Sequence, residues 1–255
     1  MFRQVVFAAA LLFASPSLVL ADARVIAETS SADERAGLLA TYREAHFALQ
    51  RWAVDNPNSP IPLLSDARAA PLIRTGLNED VLAQFPKDAR SIGVLCKVSA
   101  ETLGLLLPKT DEQTAQRSGE LSLGFSFALS CSNLAFAATT ASLEGRELPR
   151  TQESTVWVNQ LRSSAARTFV GVMMILTDAH LARDDKLQLL SAADRNAAGF
   201  ASIMTIDQRR EAIAIIDRST LWAGSAARRS YLQIREAMSR TDCSKICAYD
   251  ESRRA

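Results

Sequence analysis

One stretch of the sequence places several chemically capable side chains close together. Asp178, His180, Asp184 and Asp185 fall within eight residues. Three carboxylates and an imidazole can ligate a divalent cation, or a carboxylate can orient the imidazole as a general base. Such chemistry would make the chain a metal-assisted hydrolase acting through Asp178, His180 and Asp184. Carboxylates beside a helix start more often serve as caps, so we favour a solvated capping turn that holds neither a metal nor a cofactor.

Other residues that could catalyse a reaction have no neighbouring residues in the sequence that would complete a catalytic site. Glu44 and His46 stand two residues apart, so they do not share a helix face, and we expect His46 to be a partly buried helix residue. Glu44, Glu120 and Glu144 adjoin apolar runs, as the acid of a glycan hydrolase would, but nothing else completes such a site. The sequence contains neither a Gly-x-Ser-x-Gly elbow nor a glycine-rich phosphate loop. It therefore predicts no catalytic residue and no cofactor.

The first 23 residues have the features of a cleaved secretory signal peptide. Arg3 supplies the positive start, residues 5–14 are an uninterrupted apolar run, and residues 21–23 are small enough for a signal peptidase. The run is shorter than the ~20 apolar residues that a bilayer-spanning helix needs, so we expect cleavage and not a retained anchor. The mature chain, residues 24–255, is then expected in the periplasm or outside the cell.

Cys96, Cys131, Cys243 and Cys247 are an even number in a chain predicted to be exported, which indicates two disulfides. If a helical hairpin turns near residue 110, Cys131 lies roughly 12 Å further along than the residue opposite Cys96. Bonded cysteines have Cα atoms within about 7 Å. We therefore expect the tail to lie along the hairpin, bonded to both Cys96 and Cys131. The alternative pairs Cys96 with Cys131 and Cys243 with Cys247.

A redox or metal role for these cysteines is less expected than a structural one. The Cys-x-x-x-Cys spacing of residues 243–247 differs from the thioredoxin motif. Four thiols could bind zinc, but an oxidising compartment favours disulfides.

Composition favours a globular protein built from helices. The chain has 255 residues, of which 48% are hydrophobic and 22% charged, which is sufficient for one sizeable core. A formal net charge of +1 provides no overall field for nucleic acid or an acidic membrane. Alternating Val and Ile runs are few, which argues against sheets. We predict an all-α bundle of about 7–9 helices, in one domain over residues 24–255.

A central helix over residues 110–143 is expected to organise this bundle. No charged residue occurs between Glu120 and Glu144. A small polar residue recurs there at every fourth position: Ser118, Ser122, Ser126 and Ser130. Residues four apart share a helix face, and a helix that is apolar on most sides is usually buried. A transmembrane helix is the alternative, which these serines and Asn133 disfavour, so we expect no membrane span after signal cleavage.

The remaining helices are predicted from caps, prolines and apolar spacing. Thr110 and either Thr151 or Ser154 match N-caps, and prolines punctuate a connection over residues 56–77. The spacing predicts helices over residues 31–55, 78–85, 86–107, 110–143, 151–177, 186–193, 192–203, 206–219 and 222–240. Arg209 and Arg210 are assigned to a solvated face of the helix over 206–219.

The sequence contains no recognisable set of catalytic residues, and our expectation for the function follows from that. We expect a non-enzymatic exported protein that presents a helix face or a groove to another envelope protein. One alternative is a carrier that holds an apolar ligand in a cavity beside the serines and Met173. The other is the metal-assisted hydrolase of the 178–185 turn.

Overall fold

A computed structural model describes residues 32–249, apart from 59, 85–88, 146, 219–224 and 241. The predicted signal peptide, residues 1–23, lies outside these residues. The described residues form α1 (Ala32–Asp55), α2 (Ala69–Gly76), a 3-10 helix (Glu79–Gln84), α3 (Ala89–Leu106), α4 (Asp111–Gln116), α5 (Ser118–Ser142), α6 (Gln152–Leu176), α7 (Arg183–Ile203), α8 (Ile206–Ile216) and α9 (Ser225–Ser239). The predicted all-α bundle around a central buried helix is confirmed.

The caps that begin several helices are local interactions. The Thr110 hydroxyl accepts a hydrogen bond from the backbone N–H of Gln113, and that of Thr151 accepts one from Ser154. Both satisfy an otherwise free N–H group of the first turn, as predicted. Thr205 forms a full capping box with Gln208 at the start of α8. Gly145, with a φ of +73°, occupies the left-handed conformation that glycine tolerates best, just beyond α5.

The predicted helix over residues 110–143 is wrong in one respect, because it breaks at Arg117 into α4 and α5. The Arg117 backbone leaves helical geometry, and its side chain turns inward. There the guanidinium donates to the carbonyls of Leu106 and Leu107 at 2.8 and 3.1 Å, and so caps the free end of α3. Burial lowers the pKa of Arg117, which the Glu120 carboxylate counteracts, and the group stays charged at neutral pH.

Three other expectations differ from the structure. The two helices predicted over 186–193 and 192–203 are the single helix α7. A short helix, α2, lies within the proline-rich connection predicted over residues 56–77. The segment expected to be helical over 78–85 is a 3-10 helix.

Helix α5 lies between α3 and α7, and these contacts define the layers of the bundle. Helices α1 and α2 pack against α3 on one side, while α6 and α9 pack against α7 on the other, with α8 beyond them. By length and composition, α5 is the one described helix that could cross a membrane. In its most apolar stretch, 61% of the residues are buried inside the bundle. A core helix of a soluble protein passes the same test.

Helices α5 and α7 run parallel and approach each other closely. The Ser122 hydroxyl donates to the Asp185 carbonyl at 2.8 Å, and Asn196 donates to the Ser130 hydroxyl at 3.0 Å. Further along, a Cβ atom on Gly199 would lie 1.5 Å from Oδ1 and 2.7 Å from Cγ of Asn133. Small side chains on both helices therefore allow the close approach. The serine hydroxyls form hydrogen bonds with α7 where larger side chains would hold the two helices apart.

We predict that Gly199→Ala destabilises the protein by up to about 1 kcal/mol, because the new methyl group must displace the half-buried side chain of Asn133. Gly93→Ala in α3 is the matched control, since no atom lies within 4 Å of its added Cβ. That control should instead raise the free energy of unfolding by about 0.4–1 kcal/mol, as glycine removal from a helix does. Urea unfolding measures both. Asn133→Ala added to Gly199→Ala should recover most of the loss, and equal stability of the two glycine variants would contradict the close packing.

Candidate functional site

The turn over residues 178–185 was the candidate for metal or acid–base chemistry. The Asp178 carboxylate accepts from the His180 backbone N–H at 2.8 Å, and its Oδ1 lies 3.1 Å from the His180 Nδ1. Asp184 and Asp185 belong to the first turn of α7, where carboxylates oppose the positive end of the helix dipole. Among the described residues, no three His, Cys, Asp or Glu side chains lie close enough to hold a metal ion. The structure thus pairs Asp178 with His180 and does not bring Asp184 to them.

The remaining acid–base candidates are structural or exposed. The His46 ring is buried, with Nδ1 3.1 Å from the Thr102 hydroxyl, which confirms the predicted partly buried helix residue. Glu120 is buried and accepts a hydrogen bond from the backbone N–H of Leu64. Glu44 and Glu144 are exposed on the surface.

The disulfide pairing expected from the sequence is wrong, and the alternative pairing is observed. Cys96 bonds to Cys131 and Cys243 bonds to Cys247, with Cα–Cα distances of 5.7 and 5.1 Å. The error lies in the assumed turn of the hairpin. Helix α4 lengthens the connection, so the cysteines lie ten residues before Leu106 and thirteen after Ser118. That leaves an axial offset of about 4.5 Å, which a disulfide can span.

Two buried arginines hold the chain after α9. The Arg162 guanidinium of α6 donates to the carbonyl of Ile246, at 2.9 Å, and to that of Cys247. Arg209 of α8 donates to the carbonyls of Arg240 and Asp242 at 2.6 and 3.1 Å. Only 3% of Arg162 and 1% of Arg209 is exposed. The predicted solvated face is therefore wrong for Arg209.

A sequence signal for this burial exists. Arg209 stands three, four and seven residues before Ala212, Ile213 and Ile216, which places it on the apolar face of α8. A charged residue within an apolar stripe is buried only when its donors are satisfied. The carbonyls that satisfy this guanidinium come mostly from residues 30 or more positions later in the chain. Spacing within α8 could not reveal them.

We name residues 242–249 the tail segment, and it closes one end of the bundle. The Ser244 N–H donates to the Ser202 carbonyl at 3.3 Å, and Lys245 donates to the Leu143 carbonyl at 3.3 Å. Tyr249 donates from its hydroxyl to the Pro149 carbonyl at 3.0 Å. The tail segment thus contacts the ends of α5 and α7 and the chain that leads into α6.

An open groove between α6 and α8 is a site that the sequence did not indicate. Its volume is about 620 Å³, and six of its eight lining residues have polar or charged side chains. We name it the α6–α8 groove, and its lining residues are Val156, Asn159, Gln160, Ser163, Ala166, Arg167, Gln208 and Glu211. Val156 is 50% exposed there. The α6 residues recur at intervals of three and four, as expected for one helix face.

A second, enclosed cavity lies beside the Cys96–Cys131 disulfide. Its volume is about 10 Å³, so it has room for one water molecule at most. Ser99 lines it, and the Ser99 hydroxyl has no hydrogen-bond partner among the described residues. A single water there would satisfy that hydroxyl, and no organic ligand would fit.

Comparison of the chain with protein-family models, with curated proteins and with solved structures finds no match. Function must therefore be inferred from the geometry of this chain.

We predict that Arg209→Met destabilises the protein by about 2–4 kcal/mol, because the carbonyls of Met204, Arg240 and Asp242 lose a charged donor. The neighbouring Arg210→Met is the matched control. Arg210 is exposed and contacts Asp207 on the helix surface, so its replacement should change stability by less than about 0.5 kcal/mol. Urea unfolding at constant protein concentration compares the two, and similar midpoints would show that the Arg209 contacts contribute little.

Proposed function

We propose that the chain is an exported, non-enzymatic binding module, and that the α6–α8 groove accepts a segment of another envelope protein. The observation that carries this proposal is the groove itself, a preformed surface that combines polar side chains with apolar contact area. A groove of this kind is what the functional expectation from the sequence requires.

The lining chemistry supports a polypeptide as the occupant. Asn159 and Gln160 each carry an amide that both donates and accepts, and Gln208 adds amide N–H donors, since its oxygen caps α8. The backbone of a peptide presents the same complementary groups, N–H and C=O, at regular intervals. Val156 and Ala166 add small apolar contacts, which suit the side chains of such a segment.

The charges of the groove disfavour other occupants. Arg167 and Glu211 contribute one charge of each sign, so the lining has no field that would attract a polyanion such as nucleic acid. An acyl chain would leave the amides without partners, at a free-energy cost for each. A neutral or mixed-charge polypeptide segment avoids both problems.

The walls of the groove are held before any partner binds. Arg162 ties α6 to the tail segment, and Arg209 ties α8 to the same segment. Because the walls of the groove are already fixed, little conformational entropy is lost when a partner binds, and this favours the affinity. This tie is the structural reason to treat the groove as a recognition surface.

Export is part of the proposal and is supported by the sequence. Arg3, the apolar run over 5–14 and the small residues 21–23 fit a secretory signal. Two disulfides are compatible with an oxidising compartment such as the periplasm.

The two alternative functions have less support. A carrier would need space beside the serines of α5, but the Ser118, Ser122 and Ser130 hydroxyls are bonded to α7, to the chain leading into it, or to the 3-10 helix. A metal-assisted hydrolase would need Asp178, His180 and Asp184 around one ion, and they do not form such a group.

A photo-crosslinking residue at Gln160, on the groove, should give a discrete protein adduct in the cell envelope. The same residue at Gln233 on α9 is the matched control, because both positions are exposed glutamines of a helix and Gln233 does not line the groove. We expect the adduct from position 160 alone, and we expect Ser163→Trp, which fills the groove, to reduce it at least tenfold. Equal labelling from both positions, or none from position 160, would contradict the proposal.

A further inference from the structure

The two disulfides occupy different environments. Cys96 and Cys131 are 2% and 1% exposed and lie in the core between α3 and α5. Cys243 is partly exposed at the end of the bundle, and its partner Cys247 is buried behind it. The second disulfide therefore lies closer to the solvent than the first, at its Cys243 side.

A fixed cation lies against this second disulfide. The Arg209 Nη2 is 3.5 Å from the Cys243 Sγ and 3.2 Å from the Cys247 Sγ. The same guanidinium is held by the carbonyls of Met204, Arg240 and Asp242. A disulfide sulfur carries no charge, so the contact gains most of its electrostatic energy when the bond is reduced and a thiolate forms.

We propose that Cys243–Cys247 is a reversible thiol–disulfide exchange site for an external thiol reductant, with Cys243 as the attacked residue and Cys247 as the leaving thiolate beside Arg209. Cys243 is the more exposed of the two residues, and the Cys247 sulfur is the nearer of the two to Arg209; these differences assign the two roles.

The exchange balances in two steps. An external thiolate attacks the Cys243 Sγ, a bond forms between these two sulfurs, and the Cys243–Cys247 bond breaks with its electron pair on the Cys247 Sγ. A second external thiolate then attacks the sulfur of the bound reductant and releases Cys243 as a thiolate. The protein disulfide gains two electrons, and two molecules of the external thiol become one external disulfide.

Stabilising the leaving thiolate favours both the rate and the equilibrium of reduction. A better leaving group departs faster, and a disulfide whose reduced form is stabilised is a stronger oxidant. The carbonyl of Met204 lies 3.1 Å from the Cys247 Sγ and would accept a bond from the neutral thiol. A full positive charge at a similar distance outweighs that neutral dipole.

Reduction should leave the fold intact. The Cys243–Cys247 disulfide closes a loop with a sequence separation of 4, against 35 for Cys96–Cys131. Its reduction therefore increases the entropy of the unfolded chain less and destabilises the fold less. Arg162 still holds the carbonyls of Ile246 and Cys247 after the bond opens. The two thiols therefore stay near each other and can re-form the disulfide.

Redox titration of the mature chain tests the site. The protein is equilibrated in glutathione buffers, quenched with acid, alkylated and mapped by mass spectrometry. We expect Cys243–Cys247 to be half reduced at a value of [GSH]²/[GSSG] at least tenfold lower than Cys96–Cys131, with the mixed glutathione disulfide on Cys243. Opening of both pairs at the same ratio, earlier opening of Cys96–Cys131, or glutathione found mainly on Cys247 would overturn the proposal.

The role of Arg209 is tested separately with Cys243→Ser, which leaves Cys247 as the single free thiol. Thiolate absorbance near 240 nm should report a pKa for Cys247 below its usual value of about 8.5 in the folded chain, and near that value in denaturant. Arg209→Gln should raise the folded pKa, while Arg210→Gln should not change it. If Arg209→Gln does not fold, the comparison of folded and denatured Cys243→Ser still decides, and a folded pKa at or above 8.5 overturns the role of Arg209.

Discussion

The close, parallel contact of α5 with α7 is the constraint on which the described bundle depends. Helix α5 carries almost no charge and must be covered, and α7 can cover it only if both helices present small side chains at their interface. Serine satisfies that requirement at Ser118, Ser122 and Ser130, because each hydroxyl finds a hydrogen-bond partner across the interface. Gly199 completes it beside Asn133. The remaining helices then pack around these two.

The tail segment joins the other parts of the molecule to that core. Residues 242–249 contact the ends of several helices, and two buried guanidinium groups supply most of the charged hydrogen bonds that hold them. A guanidinium is suited to this task because it offers five donors in a fixed plane and remains charged when buried. The same arrangement fixes the walls of the α6–α8 groove and places a cation against a disulfide. Arg209 therefore belongs both to the wall of the proposed recognition surface and to the proposed exchange site.

Most of the ionisable and polar groups that the sequence singled out make structural contacts. The polar groups in the 178–185 turn are engaged in local bonds and in contacts with the start of α5, as Asp178 with His180 and Ser118 with the Ala182 N–H show. The buried ionisable groups His46 and Glu120 bind Thr102 and the Leu64 N–H. These contacts stabilise the fold. The α6–α8 groove, in contrast, exposes the side-chain amides of Asn159 and Gln160 at the surface.

Sequence alone determined the features that depend on residues within about four positions of one another. The helical class, the caps at Thr110 and Thr151, and the burial of the central helix follow from spacing and capping chemistry, which are local. The predicted candidates of the 178–185 turn could be located by the same means, but their mutual geometry could not.

Tertiary structure decided what depends on the register between helices. The break at Arg117, the Cys96–Cys131 pairing and the burial of Arg209 all rest on groups that the chain brings together from distant positions. An offset of a few residues in a single connection changes which side chains face each other, because each residue advances a helix by about 1.5 Å. The groove between α6 and α8 exists for the same reason: its two walls are separate helices whose separation no local pattern specifies.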